Sequence, residues 1–182
     1  VIGTSIQPEV AIVYDRQNDW AINICNGPRA EKKDYRPTCV EHYRQFWQRS
    51  IPVDVVDQMH DLSNYKLVVA PMTYMIRPGF AERVEAFVKN GGTFVSTYWS
   101  GIVDECDICF FGGFPGPLRK CLGIWSEEID VLYDKESNSI VPSSANDLAL
   151  NGSYEAKIFC DLIHAEGAEV LASYGREFYA GR

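Results

Sequence analysis

The chain has 182 residues, of which 46% are hydrophobic and 23% are charged, as is usual for a globular protein. Its formal net charge of −8 argues against nucleic-acid binding, because phosphate neutralisation needs clustered Lys and Arg. No apolar run of the sequence approaches the ~20 residues that a membrane span needs. The composition therefore predicts a soluble domain with no nucleic-acid or membrane partner.

Six cysteines are scattered along a chain that is long enough to bury a core of its own. This pattern differs from that of a small secreted scaffold and predicts reduced thiols in a cytoplasmic protein. The sequence begins Val-Ile-Gly-Thr, with neither an initiator Met nor a charged-then-apolar targeting segment. We therefore expect a piece of a longer protein, folded as a single domain over residues 1–182.

The first half of the chain alternates apolar runs with helical patterns. Continuous apolar runs predict four short buried strands, at residues 10–14, 53–56, 66–70 and 93–97. Apolar residues at helical spacing predict helices at residues 34–50 and 78–89, the second with Phe80, Val84, Phe87 and Val88 inward. The polar segment 16–33 is expected to be a loop held in place by Trp20 and Ile22. Strands and helices joined by such short connections predict a parallel sheet with helices on both faces.

The second half contains more strand patterns. They predict a short helix at residues 117–122, a strand at 124–133 and a polar loop at 137–151. Two further strands, 154–164 and 168–179, are expected to form an antiparallel hairpin on the sheet edge. The predicted fold is therefore α/β: a flavodoxin-like three-layer sandwich, similar to class I glutamine amidotransferases, with a mostly parallel sheet and an antiparallel C-terminal hairpin.

The loop that leaves the fourth strand is the predicted functional surface, because loops at the carboxyl ends of parallel strands meet ligands and partners. Six aromatic residues fall in the loops after the third and fourth strands: Tyr74, Tyr98, Trp99, Phe110, Phe111 and Phe114. Together they suggest an exposed apolar patch, which usually marks a partner surface. Stacking on carbohydrate is the other interpretation.

This long loop resembles a known family. Residues 97–105 read Thr-Tyr-Trp-Ser-Gly-Ile-Val-Asp-Glu and residues 112–119 read Gly-Gly-Phe-Pro-Gly-Pro-Leu-Arg. Both runs resemble the middle domain of glycoside hydrolase family 42 β-galactosidases. The resemblance extends from about Glu9 to the end, with supporting segments at residues 51–54, 62–72 and 168–174. In that family this is the trimerisation domain, which lies between the catalytic barrel and a small β-domain.

The resemblance implies a non-catalytic domain that assembles a homotrimeric β-galactosidase, a retaining hydrolase of terminal β-D-galactosides. It also implies that residues 1–8 are a linker from the upstream barrel, which supplies both catalytic glutamates, and that the domain helps enclose a neighbouring subunit's active site. We expect six residues to form the subunit interface or that wall: Tyr98, Trp99, Asp104, Glu105, Phe111 and Phe114. No catalytic residue, cofactor or metal is expected in this part of the protein.

An amidotransferase-like function is the alternative. In those enzymes the loop after the fourth strand carries a cysteine nucleophile, whereas here Tyr98 and Trp99 stand at the corresponding place. A nucleophile also needs a base within hydrogen-bond reach, and the sequence places no histidine beside this turn. The alternative is therefore a stand-alone domain that binds a small molecule without glutaminase activity.

Other catalytic motifs fail on spacing. Ser100 lacks the two flanking glycines of a nucleophile elbow, which a strained turn requires. The neighbouring side chains of Asp104 and Glu105 point to opposite sides of an extended segment, so they do not form a glycosidase pair. These acids are expected either to cap local turns or to meet Arg and Lys across an interface.

Cofactor motifs are equally incomplete. Cys106 and Cys109 have the spacing of half a zinc site, but no second pair accompanies them. Residues 15–20, after the first strand, lack the Ser, Thr and Gly cluster whose amides bind the phosphate of a flavin.

Overall fold

The structure, a computed structural model, describes residues 2–27, 33–144 and 148–181. The chain folds as two compact units, Val1–Phe110 and Phe111–Arg182. Within the described ranges, no helix is both long and apolar enough to cross a membrane.

The first unit is built on a four-stranded parallel sheet. Its strands are β1 (Val10–Val13), β2 (Val53–Val56), β3 (Leu67–Ala70) and β4 (Thr93–Ser96). They pair in the order β2-β1-β3-β4, which is the order of the flavodoxin-like fold. All four residues of β1 are buried, as the continuous apolar run predicts. The predicted parallel α/β class is confirmed, and every strand end lies within one residue of its predicted position.

In the described part of this unit, three helices accompany the sheet: α1 (Arg16–Ile24), α2 (Tyr35–Trp47) and α3 (Phe80–Lys89). The last two confirm the helices predicted at residues 34–50 and 78–89. Phe80, Val84 and Phe87 are buried as expected, whereas Val88 is exposed, so its inward assignment was wrong. Only three of four apolar residues fit on the narrow buried face of this short helix.

Helix α1 corrects the prediction of a loop at residues 16–33, of which 28–32 lie outside the described residues. The Asp15 carboxylate accepts hydrogen bonds from the N–H groups of Gln17 and Asn18 and so caps the helix. Asn18 and Ile22 lie one turn apart on its buried face. Trp20, expected to hold this segment in place, is 60% exposed. The helix escapes sequence reasoning because its buried face includes a polar residue.

The second unit begins with a 3-10 turn (Gly116–Leu118) and α4 (Arg119–Leu122), which confirm the helix predicted at residues 117–122. The strand predicted at residues 124–133 is β5 (Ile124–Val131). The four later strands are β6 (Asn138–Pro142), β7 (Tyr154–Ala156), β8 (Phe159–Ala165) and β9 (Ala172–Tyr174). Strand β5 pairs antiparallel with β8, while β7, β6 and β9 form a three-stranded antiparallel sheet in that order.

The pairing of these strands differs from the predicted C-terminal hairpin. The strand predicted at residues 154–164 is divided into β7 and β8, and the one predicted at 168–179 is reduced to β9. Strands β8 and β9 each pair antiparallel with an earlier strand rather than with the other. The N–H groups of Glu166 and Ala168 both bond to the carbonyl oxygen of Gly123, which ties the turn after β8 to the start of β5. Strand β6 also occupies part of the predicted loop 137–151, of which 145–147 lie outside the described residues.

Cysteine burial yields a testable prediction. Burial raises the pKa of Cys39 to about 12 and also raises the pKa of Cys160, whereas Cys106 and Cys109 are exposed. Because the thiolate is the reactive form, iodoacetamide at pH 8 should alkylate the exposed pair in the native protein and spare the buried pair. Peptide mass spectrometry after timed quenching measures this. Equal alkylation of all four would contradict the described packing, and unfolding in urea is the control.

Candidate functional site

The loops at the carboxyl ends of the parallel strands are joined through one buried carboxylate. Asp15 lies two residues after the end of β1 and is 1% exposed. One of its oxygens caps α1, and the other accepts hydrogen bonds from the Gln58 N–H (3.2 Å) and the Arg77 guanidinium (3.3 Å). Gln58 follows β2 and Arg77 follows β3. A single side chain therefore ties three strand-end loops together.

Two buried amide side chains continue this network. The Asn18 amide donates to the Met72 carbonyl oxygen (3.0 Å) and accepts from the Met75 N–H (2.8 Å). The Gln58 amide donates to the Met75 carbonyl oxygen (2.8 Å) and accepts from the Arg77 N–H (3.0 Å). Both amides thus have a donor bond and an acceptor bond, which is what stabilises a buried polar network in one arrangement.

The loop after β4 is bound to the loop after β3 by hydroxyl and backbone hydrogen bonds. The Met72 N–H donates to the Thr97 hydroxyl oxygen (2.8 Å), and the Thr73 N–H donates to the Ser100 hydroxyl oxygen (3.1 Å). Backbone bonds join Gly101 to Thr73 and Ile102 to Tyr74. Ser100 is buried, and its hydroxyl holds the neighbouring loop in place.

Two of the loop aromatics lie in the interior of the first unit. Trp99, 6% exposed, stacks on buried Tyr74 with ring centroids 5.9 Å apart, and the Lys33 ammonium lies 5.8 Å from its ring. The Tyr74 hydroxyl donates to Asp107 (3.1 Å), and burial raises the pKa of Tyr74 well above its ordinary value. These contacts correct the expectation that Tyr74 and Trp99 belong to an exposed patch. Aromatic pairs of this kind stabilise each other beyond their buried area.

The two acidic candidates of the same loop, Asp104 and Glu105, differ in their surroundings. One oxygen of Asp104 accepts hydrogen bonds from the N–H groups of Cys106 (2.8 Å) and Ile108 (3.0 Å), so it caps a local turn. Glu105 is exposed. Capping of a local turn is one of the two roles that the sequence predicts for these acids, and Asp104 performs it. Across the described ranges, no three His, Cys, Asp or Glu side chains are grouped to hold a metal ion.

The remaining candidates differ in exposure. Tyr98 is half-buried in the first unit, and Phe114 is half-buried in the second, where its carbonyl oxygen accepts the Ser126 N–H (2.8 Å). Phe111 is 97% exposed. The structure thus places Tyr98, Trp99, Asp104 and Glu105 in the first unit and the two phenylalanines in the second.

Sequence reasoning missed the residues that fix these loops: Asp15, Asn18, Gln58 and Arg77. A signal does exist. Polar residues with two hydrogen-bonding groups stand within a few positions of the ends of β1 and β2, where a parallel sheet brings loops together. These residues, however, bond to partners that lie up to 62 positions away in the sequence, and the folded sheet brings them together.

The strand order and the linked strand-end loops define a flavodoxin-like α/β architecture. The family described as "Beta-galactosidase trimerisation domain" matches residues 8–182. The chain therefore belongs to the trimerisation-domain family of glycoside hydrolase family 42 β-galactosidases, and the sequence resemblance is confirmed.

Individual relatives agree with this assignment. The β-galactosidase Pbg of Clostridium perfringens is 62% identical over 181 residues, which are 100% of this chain and 26% of that protein. The β-galactosidase of Rahnella sp. R3 superposes with a TM-score of 0.95 and 51% identity, covering 98% of this chain and 26% of its own. Gan42B, a family 42 β-galactosidase, superposes with a TM-score of 0.90 and 44% identity, covering 99% of this chain and 25% of its own. The chain thus spans about a quarter of these relatives.

The buried carboxylate yields a second prediction. Asp15→Ala leaves the Arg77 guanidinium and several N–H groups without their acceptor, so the free energy of unfolding should fall by about 3 kcal/mol. Asp15→Asn keeps a capping oxygen and should lose less. Urea denaturation followed by circular dichroism measures both.

The matched control is Glu9→Ala, which removes an exposed ion pair with Lys66 (2.6 Å). Its effect should stay within about 0.5 kcal/mol, because solvent screens such pairs. If Asp15→Ala costs no more than Glu9→Ala, the central role of the buried carboxylate is refuted.

Proposed function

We propose that this chain is the domain through which a family 42 β-galactosidase assembles into homotrimers. The parent enzyme hydrolyses terminal β-D-galactosides with retention of configuration. The observation that carries this proposal is the match of the trimerisation-domain family to residues 8–182. Relatives that are up to 62% identical to this chain are named β-galactosidases, which supports the substrate class.

The proposal assigns the chemistry to a catalytic barrel joined through the linker at residues 1–8, not to the domain itself. The side chains of the strand-end loops are engaged in holding those loops: Asp104 caps a turn, Asp107 accepts the Tyr74 hydroxyl and Ser100 supports residue 73. Such engagement suits a scaffold, since a general acid or nucleophile has to reach the substrate.

The six candidate residues divide into two roles under this proposal. Glu105 and Phe111 are exposed and contact a neighbouring subunit directly. Buried Trp99 and the turn-capping Asp104 fix the shape of the loop in the first unit, where Tyr98 is half-buried, and Phe114 is half-buried in the second unit. A loop already fixed in the free protein loses little conformational entropy when it binds, which favours tight assembly.

Assembly also shapes the active site in this account. Three copies related by a closed rotation form a ring in which each domain contacts the next. The strand-end loops of one copy then wall the entrance to the neighbouring barrel. Six free cysteines, all in the described ranges, fit a parent enzyme that works in the reducing cytoplasm.

Assembly and activity are tested on the purified full-length parent. It should be a trimer by multi-angle light scattering and should hydrolyse a nitrophenyl β-D-galactoside, whereas the 182-residue chain alone should not. A monomeric parent at micromolar concentration would overturn the assembly role. Hydrolysis by the isolated chain would overturn the assignment of chemistry to the barrel.

Retention is tested separately. Proton NMR of the first-formed product should show β-galactose before mutarotation, because a double displacement restores the original configuration. Initial appearance of α-galactose would contradict retention without bearing on assembly.

A further inference from the structure

Arg119 holds the turn that follows Phe111. Its Nε and Nη2 atoms donate to the two carboxylate oxygens of Glu166 (2.6 and 2.5 Å), and its Nη1 donates to the Gly112 carbonyl oxygen (2.5 Å). This fork of charge-assisted hydrogen bonds is a geometry that arginine forms and lysine does not. One side chain thus connects the start of the turn to the end of β8.

The same guanidinium lies over an aromatic platform. It is 5.4 Å from the ring centroid of Trp125, which stacks on His164 at 4.8 Å between centroids. The His164 Nε2 atom is 2.6 Å from a carboxylate oxygen of Glu127. Trp125 and His164 lie opposite each other on β5 and β8, so the platform is part of a paired ribbon.

The backbone of the turn is packed directly on this platform. Gly112 and Gly113 have φ values of 93° and 97°, which disfavour other residues, and a Cβ on Gly113 would lie 2.2 Å from the Trp125 Nε1 atom. The Ser126 N–H donates to the Phe114 carbonyl oxygen (2.8 Å). The turn is therefore fixed at its start, its middle and its end.

This fixed turn carries an aromatic side chain that its own unit does not bury. Phe111, 97% exposed, directly precedes the two glycines. Hydrogen bonds and ring stacking order the backbone beside Phe111. In the isolated unit, this order buries almost none of the apolar surface of the Phe111 ring. Aromatic residues held rigidly at a surface are the usual anchors of protein interfaces.

We propose that Arg119 and Glu166 are positioning residues that fix Phe111 as an aromatic anchor for a neighbouring copy of the parent protein. The inference rests on the proposed function, because the neighbour is another subunit of the same trimer. Arg119 acts through Phe111: without the fork, the turn samples other conformations and the anchor loses part of its affinity.

A double-mutant cycle in the full-length parent tests this. The variants are Phe111→Ala, Arg119→Lys and the double variant, and the readout is the trimer dissociation constant from mass photometry over a dilution series. Arg119→Lys keeps the charge but breaks the fork, so assembly should weaken by about tenfold. In the Phe111→Ala background the same change should weaken assembly by less than about twofold, because the anchor is already gone.

Two further variants keep the test decisive. Glu166→Gln breaks the fork from the other side and should reproduce the effect of Arg119→Lys. Lys157→Gln removes an exposed ion pair with Glu155 in the same unit and should leave assembly unchanged. Melting curves of each variant identify any that fail to fold.

Each outcome bears on a different claim. The inference would be overturned if the effects of Phe111→Ala and Arg119→Lys on the trimer dissociation constant are additive. It would also be overturned if neither substitution changes that constant. Both results would leave the assembly function standing. A wild-type parent that does not form trimers would overturn the proposed function and the inference with it.

Discussion

The carboxylate of Asp15 is the constraint on which the first unit depends. It lies where β1 ends, is almost fully buried, and accepts hydrogen bonds from the capped start of α1, from Gln58 after β2 and from Arg77 after β3. Removing any one of these donors leaves a buried charge less well solvated, which is costly in a protein interior. The loops after β1, β2 and β3 are consequently a single connected structure rather than three independent connections.

The strand-end loops are held in one arrangement, as the proposed assembly role requires. The loop after β4 is bonded to the loop after β3, its aromatic residue Trp99 is stacked inside the unit, and its acid Asp104 caps a turn. The turn after Phe111 is fixed separately in the second unit by Arg119. Both loops present exposed residues, Glu105 and Phe111, on a backbone that hydrogen bonds already order. Preordered surfaces bind with little entropic loss.

Sequence alone predicted the parallel sheet well, because a strand buried on both faces leaves a continuous apolar run such as Val10–Val13. It failed for α1, whose buried face includes Asn18, and for β6, which carries Pro142 and few apolar residues. The predicted pairing of β8 with β9 was also wrong. The turn at Gly167 suggests a local hairpin, whereas β8 pairs with β5 and β9 pairs with β6, both distant in sequence. The six interface candidates stay a prediction, and the burial of Trp99 and Tyr74 depends on tertiary contacts that no local pattern records.

The most direct test of the central claim, that these loops contact other subunits, is a cryo-electron microscopy reconstruction of the assembled parent protein. The account predicts a trimer in which the side chains of Glu105 and Phe111 each lie within about 4 Å of a neighbouring copy. A trimer in which both side chains face solvent, with the copies joined through other domains, would contradict it.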